Sequence, residues 1–237
     1  MPNSFFQFKQ FRIDQLESGM KVTTDACLFG AWVAKDISNF SPSSILDIGT
    51  GTGLLSLMLA QKNKKSQFTA LEINKAAFEQ AQENFNNSPW TERFTLLHQS
   101  LQEFNSVNTF DVIICNPPFF TNNLKGPSNN KNQALHADTL SIEECVKGII
   151  NNLKNAGKAF VLYPEFEMDQ FIAEASKVNL FPEEIVLVKN AENKPVFRKM
   201  VKFQFGPSES AEKTLFIRGR ENLYTRSLEE LIEDYYL

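Results

Sequence analysis

The spacing of apolar positions divides the chain into two regimes. Near the start, Phe6, Phe8, Phe11 and Ile13 alternate with Lys9, Gln10 and Arg12, which predicts a short strand pair with one apolar side. From Thr24 the chain then reads as a helix through Ala34, with Thr24 or Asp25 as its N-cap, and Ser41-Pro42-Ser43 breaks the chain. From Ile45 the pattern becomes strand, loop, helix, repeated. Ile45 to Ile48 is a strand, Gly49 to Gly53 a loop, Leu54 to Gln61 a helix, Gln67 to Ile73 a strand and Asn74 to Phe85 a helix. Arg93 to His98 and Phe110 to Cys115 follow as strands. A capping box, Ser141-Ile142-Glu143-Glu144, opens a helix reaching Leu153 that Asn155-Ala156-Gly157 ends. Lys158 to Tyr163, Glu184 to Val188 and Lys199 to Phe205 bring the strands to seven, with Glu165 to Val178 helical. Leu215 to Ile217 can add an edge strand, and Ser227 to Tyr236 a short acidic helix. Strands alternating with helices call for right-handed crossovers and a mainly parallel sheet. The expected class is α/β, with residues 1–40 as a small cap and 41–237 as the main unit.

Composition narrows the partners. A length of 237 residues suits one core, and the 22 Phe are most simply its filling. With 24 basic against 28 acidic residues the net charge is -4, so any nucleic acid must be met by local patches. Cys27, Cys115 and Cys145 are far apart, and the histidines are His98 and His136 alone, which argues against a disulfide framework and a metal centre. The first residues lack the layout of a signal peptide and no run approaches a membrane span, so a cytoplasmic location is expected.

The chemistry concentrates at three strand ends. Asp47-Ile48-Gly49-Thr50-Gly51-Thr52-Gly53 is a glycine turn between strand and helix, of the kind that lets a ligand approach the backbone. Its Gly-x-Gly-x-Gly spacing differs from the dinucleotide fingerprint, whose closing position here is Leu54, and no phosphate-loop Lys follows. Glu72 ends the second strand, where a carboxylate can accept from both ribose hydroxyls. Asn116-Pro117-Pro118-Phe119 ends the fourth strand. There a stiff prolyl pair leaves nearby carbonyls to accept, Asn116 adds an amide oxygen and Phe119 a stacking face. Any isolated Asn-Pro can simply terminate a strand. Loop, acid and Asn-Pro-Pro-Phe in this order instead suit an adenosine-bearing cofactor and a planar substrate with an amino group.

On these motifs the chain resembles the Rossmann-like class I S-adenosylmethionine-dependent methyltransferases that act on exocyclic or amide nitrogens. Phe8-Lys9-Gln10-Phe11, Met20-Lys21-Val22-Thr23-Thr24-Asp25 with Gly30-Ala31-Trp32, and Leu124-Lys125-Gly126-Pro127 with His136-Ala137-Asp138 are similar to the bacterial tRNA1(Val) (adenine-N6)-methyltransferase family. The resemblance implies an enzyme that methylates N6 of adenosine 37 in valine tRNA, and a monomer is expected. It implies that Asp47, Gly49, Gly51 and Gly53 embrace the methionine end of S-adenosyl-L-methionine, Glu72 its ribose, and Thr23 and Thr24 its carboxylate. Where such enzymes usually carry an Asp facing the cofactor's adenine, Ser100 stands before Leu101. In the long segment after Phe119, Leu135 and Lys131 stand where arginines are common. Asn116 and Pro117 would hold the target amine, with Phe119 stacked on the base and Pro118 beside it. The same motif serves enzymes that act on a protein glutamine amide or on guanine N2 of ribosomal RNA, and a catalytically silent cofactor-binding module is a third reading.

The basic clusters from Lys189 to Lys202 and from Lys213 to Arg226, together with Lys9, Arg12 and Lys21, are the candidate RNA face. Arg198, Lys199 and Lys202 lie at its centre.

Overall fold

The computed structural model describes residues 4–16, 21–106, 110–117 and 140–236. Strands β1 (Phe5–Gln7) and β2 (Arg12–Asp14) pair antiparallel, with Phe6 opposite Ile13. Phe8, Phe11 and Ile13 are buried, so the apolar side predicted for this pair is the side that packs. Asn84 fastens it, accepting from the Asp14 N–H and donating to the Asp14 carbonyl, both at 2.9 Å. Helix α1 (Thr24–Ile37) starts where the pattern placed it, but its N-cap is Thr23 and not Thr24 or Asp25: Thr23 is extended, and its hydroxyl accepts from the Ala26 N–H.

Eight strands form the main sheet: β3 (Ser44–Ile48), β4 (Gln67–Glu72), β5 (Phe94–His98), β6 (Phe110–Cys115), β7 (Leu153–Tyr163), β8 (Leu180–Lys189), β9 (Val196–Phe205) and β10 (Ala211–Phe216). Their order is β10-β8-β9-β7-β6-β3-β4-β5, with β9 antiparallel to both neighbours and the other pairings parallel. Helices α2 (Leu54–Lys62), α3 (Lys75–Asn86), α4 (Ile142–Asn152), α5 (Glu165–Ser176) and α6 (Arg226–Ile232) complete the fold.

A parallel sheet must be covered on both faces, and strand alternation sorts side chains accordingly. Ile45, Val112, Ile114, Phe160, Leu162 and Met200 face α1, α2 and α6, sharing one core with the β1–β2 pair. Leu46, Ile113, Cys115, Val161, Val201 and Phe203 face α4 and α5 in a second core. Phe29, Phe68, Phe85, Phe160, Phe171 and Phe203 are fully buried, which accounts for much of the phenylalanine excess. Each such burial stabilises the fold by about 1.5–3 kcal/mol.

Pairing extends several strands beyond the apolar runs that signalled them. Helix α4 stops at Asn152, and Leu153 is already extended and paired with Phe110, so Asn155-Ala156-Gly157 lies within β7 and not at a helix end. Strand β8 begins at Leu180 and passes through Pro182. The ladder tolerates this because its register shifts between Pro182 and Glu184. The last helix, by contrast, is shorter than predicted and ends at Ile232. The segment Leu215–Ile217 marks the end of a longer strand, β10, which pairs with β8 as the added edge strand and widens the sheet from the seven main strands to eight.

Candidate active site

The sheet order reverses at β3, with β4 and β5 on one side and β6 and β7 on the other, so a crevice opens at the carboxyl ends there. Register decides what lines it. Ile48 pairs with both Leu71 and Cys115. One residue further on, Gly49, Glu72 and Asn116 therefore end three adjacent strands side by side.

The loop after β3 takes its shape from three glycines with φ of 68°, 59° and 82° at Gly49, Gly51 and Gly53. A Cβ at Gly49 or Gly51 would meet nothing within 4 Å, whereas one at Gly53 would lie 2.5 Å from the Phe85 ring. The first two glycines thus open onto free space, and the third seats the loop against α3.

Two carboxylates brace this loop. Asp47 is fully buried at the end of β3, and its Oδ2 accepts from the hydroxyls of Thr50 and Ser56, both at 2.7 Å. Its Oδ1 is buried without a hydrogen-bond partner. Burial pushes the Asp47 carboxyl up to about 6, against the opposing pull of the Ser56 and Thr50 hydrogen bonds. Glu72 accepts from the Gly51 N–H through Oε2 and from the Asn74 N–H through Oε1, both at 2.8 Å. Each oxygen keeps a second lone pair for a ligand hydroxyl.

Asn116 is half-buried and Pro117 buried beside it, and the Asn116 Oδ1 is a second buried acceptor without a partner. Leaving such an acceptor unpaired costs a fold about 1–3 kcal/mol, which makes it a candidate partner for a donor brought by a ligand. Asp47 Oδ1, the Glu72 carboxylate and Asn116 Oδ1 together suit a ligand pair bearing positive charge, vicinal hydroxyls and an amine.

The matches to known proteins agree with this geometry. Residues 32–141 match the model of the methyltransferase small domain. A tRNA1(Val) (adenine(37)-N6)-methyltransferase of Christiangramia forsetii is 40% identical over 241 residues, covering 100% of this chain and 99% of the relative. One of the same name from Flavobacterium psychrophilum is 37% identical, covering 98% and 99%. The chain belongs to the tRNA1(Val) (adenine(37)-N6)-methyltransferase family. The solved structure of a predicted O-methyltransferase from Agrobacterium tumefaciens, 17% identical, superposes with a TM-score of 0.67 over 88% of this chain and 95% of its own, which shows the shared class I fold.

Set against the family pattern, the expected site residues fall into separate groups. Asp47, Gly49, Gly51, Gly53, Glu72 and Asn116 converge on the crevice; Pro118 and Phe119 lie outside the described residues. Thr23 caps α1, while Thr24 borders a cavity of about 310 Å³ beside Phe197 and Arg198. Ser100 accepts from the Glu103 N–H at 3.2 Å and so shapes a turn, and Leu101 packs on Gly148, where a Cβ would come within 2.4 Å of it. Thr50 and Ser56, which hold Asp47, were not singled out in the sequence. Their signal was a pair of hydroxyl residues three and nine positions after the acid.

The proposed basic face does not form one surface. Alternation along β9 turns Arg198 and Lys202 toward α1 and Lys199 toward α5. Arg198 pairs with Asp25 at 2.7 Å, and Lys199 with Asp169 at 2.6 Å. Lys202 is buried among Asp36, Glu183 and Glu184 at 3.0, 3.4 and 3.7 Å. These three cations hold helices on the sheet. Lys9 donates to the Glu233 carbonyl, Lys21 to that of Gln15, and Arg12 pairs with Asp14 while lying over the Phe5 ring. Among the described residues no cluster of three or more His, Cys, Asp or Glu could hold a metal ion, and no helix is long and apolar enough to cross a membrane.

Proposed function

We propose that this protein transfers a methyl group from S-adenosylmethionine to the N6 amine of adenosine 37 in valine tRNA, acting as a monomer in the cytoplasm. The observation that carries the reading is the orphaned Asn116 Oδ1, set beside the glycine loop in a chain aligned over its whole length with relatives of that name. We read residues 1–40 as a cap on the methyltransferase unit of residues 41–237.

The residues present fit the cofactor. Gly49 and Gly51 leave room against the backbone, Asp47 Oδ1 offers an unpaired acceptor, and Glu72 has lone pairs for ribose hydroxyls. S-adenosylmethionine supplies a methyl group on a cationic sulfur, open to displacement by a neutral amine. An adenine amine is a poor nucleophile because its lone pair is delocalised into the ring. Asn116 Oδ1 and the Pro117 carbonyl accept its two N–H bonds, which turns the lone pair out of plane and requires no strong base before transfer. In this reading Phe119 stacks on the extruded base, with Pro118 beside it. Mass mapping of modified nucleosides in tRNA from a deletion strain tests the assignment. Loss of N6-methyladenosine from valine tRNA alone is expected, and unchanged tRNA would overturn it.

The buried Asp47 gives cofactor binding a pH dependence. A carboxyl raised to about 6 from an ordinary 3.8 favours the folded state fully below about pH 4 and loses that contribution as the pH rises through 6. A cation beside it selects the ionised form. Affinity for S-adenosylmethionine should therefore climb as the pH rises to about 6 and level off above it, while Asp47→Asn flattens the profile. Calorimetric titrations from about pH 5 to 8 read this directly. A flat wild-type profile would detach Asp47 from the cofactor.

A further inference from the structure

At the carboxyl edge of the sheet, two to four strands beyond β6, a second cavity of about 310 Å³ lies among β8, β9 and β10. We infer that it is a second RNA subsite, one that receives a single unpaired nucleotide neighbouring the target adenosine. The inference rests on the tRNA reading of the active site.

Three features point to a nucleotide. The walls combine Phe197 and Tyr224 with two guanidinium groups, Arg198 lying 5.4 Å from the Phe197 ring and Arg218 lying 5.1 Å from the Tyr224 ring. Aromatic faces with arginines are the combination that stacks a base and meets its phosphate. Next, the lining adds the polar side chains of Asn190 and Thr24, able to meet a base edge, around the buried Ile217. The Asp25 carboxylate that would repel a phosphate is already bound by Arg198 at 2.7 Å, leaving Arg218 as the cation set by the exposed Tyr224. The volume is at the low end for small-ligand sites, about 300–1,000 Å³, which suits one nucleotide and not a duplex.

Position and backbone agree. Asn190 follows β8, Arg198 lies near the start of the antiparallel β9, and Arg218 follows β10, so all three stand on the edge that carries Asn116. At about 4.8 Å per strand the cavity lies roughly 10–19 Å from Asn116, a span that a short single-stranded stretch covers. Arg218 and Tyr224 face each other across a bridge, closing a loop whose tip holds Glu221 and Asn222 at φ of 65° and 60°. Two successive non-glycine residues in the left-handed region are strained. Such strain gathers at ligand clamps.

The test uses the full chain saturated with S-adenosylhomocysteine and measures the Kd for unmodified valine tRNA by fluorescence anisotropy across a salt series. Tyr224→Ala should raise the Kd about tenfold, Tyr224→Phe should preserve it, and Arg218→Gln should lower the salt slope by about one. Affinity for S-adenosylhomocysteine, read by calorimetry, should stay unchanged in all three. Wild-type tRNA affinity in Tyr224→Ala with cofactor binding intact would overturn the inference. If Tyr224→Ala fails to bind cofactor and hence to fold, an unaltered Kd and salt slope in Arg218→Gln would overturn it equally. A wild-type chain that neither binds nor methylates tRNA sinks this inference and the proposed function together, whereas a chain that methylates tRNA but binds it as tightly without these side chains sinks the inference alone.

Discussion

Replacing Asn116 by Ala should lower kcat by about two orders of magnitude or more and leave cofactor affinity nearly unchanged. Its Oδ1 is one of the few buried side-chain acceptors without a partner among the described residues. An acceptor held ready for a bond that forms fully only as the amine reorients acts in the transition state, and losing such a positioned contact typically costs 10²–10³ in rate. Neither neighbour can substitute, because Cys115 is a buried thiol and Pro117 has no side-chain polar atom. Asn116→Asp keeps shape and acceptor but adds a charge near the sulfonium, which favours the bound cofactor over the transition state. Partial activity with tightened cofactor binding is expected. Single-turnover transfer separates these outcomes from slow product release, and a wild-type rate in the Ala variant would show that Asn116 does not position the amine.

Glu72→Ala should weaken S-adenosylmethionine binding by about two orders of magnitude or more. The carboxylate holds the Gly51 N–H with one oxygen and the Asn74 N–H with the other, so its loss unpins the glycine loop and also removes the acceptor proposed for the ribose. Hydrogen bonds to a charged group contribute about 1.5–3 kcal/mol each, and every 1.4 kcal/mol is tenfold in affinity. Glu72→Gln is the more telling variant. An amide can accept through its oxygen only, and its NH2 would face a backbone N–H, so Gln should recover a minor share of the loss. Calorimetry with S-adenosylhomocysteine measures both variants. Full recovery in Gln would mean that the charge and the second acceptor are dispensable.

What could be read in the sequence follows from how each feature is encoded. The apolar runs at Ile45–Ile48 and Phe110–Cys115 reported buried parallel strands because both faces of such strands must be apolar. The glycine spacing reported the turn because positive φ at Gly49, Gly51 and Gly53 leaves few other residues acceptable. Asp47, Glu72 and Asn116 stood out as polar residues closing apolar strands, and the strand register sets those three ends side by side. Strand β10 was legible only at its end, since Ala211 to Thr214 are exposed and carry no apolar period. The basic cluster misled for a related reason. Strand alternation divides Arg198, Lys199 and Lys202 between two faces, and their partners, Asp25, Asp36, Asp169 and Glu183, are distant in sequence, so a charge run along the chain did not become a patch in space. The cavity at Tyr224 was equally silent, being assembled from five separate stretches of chain.

The proposed activity is methylation of one nitrogen on one nucleotide. Transfer of labelled methyl from S-adenosylmethionine to unmodified valine tRNA, compared with the same tRNA carrying guanosine at position 37, tests it most directly. Stoichiometric labelling of the adenosine-37 tRNA, recovered as N6-methyladenosine, and none of the guanosine-37 tRNA is the predicted result. Equal labelling of both, or label recovered on another nucleoside, would contradict it.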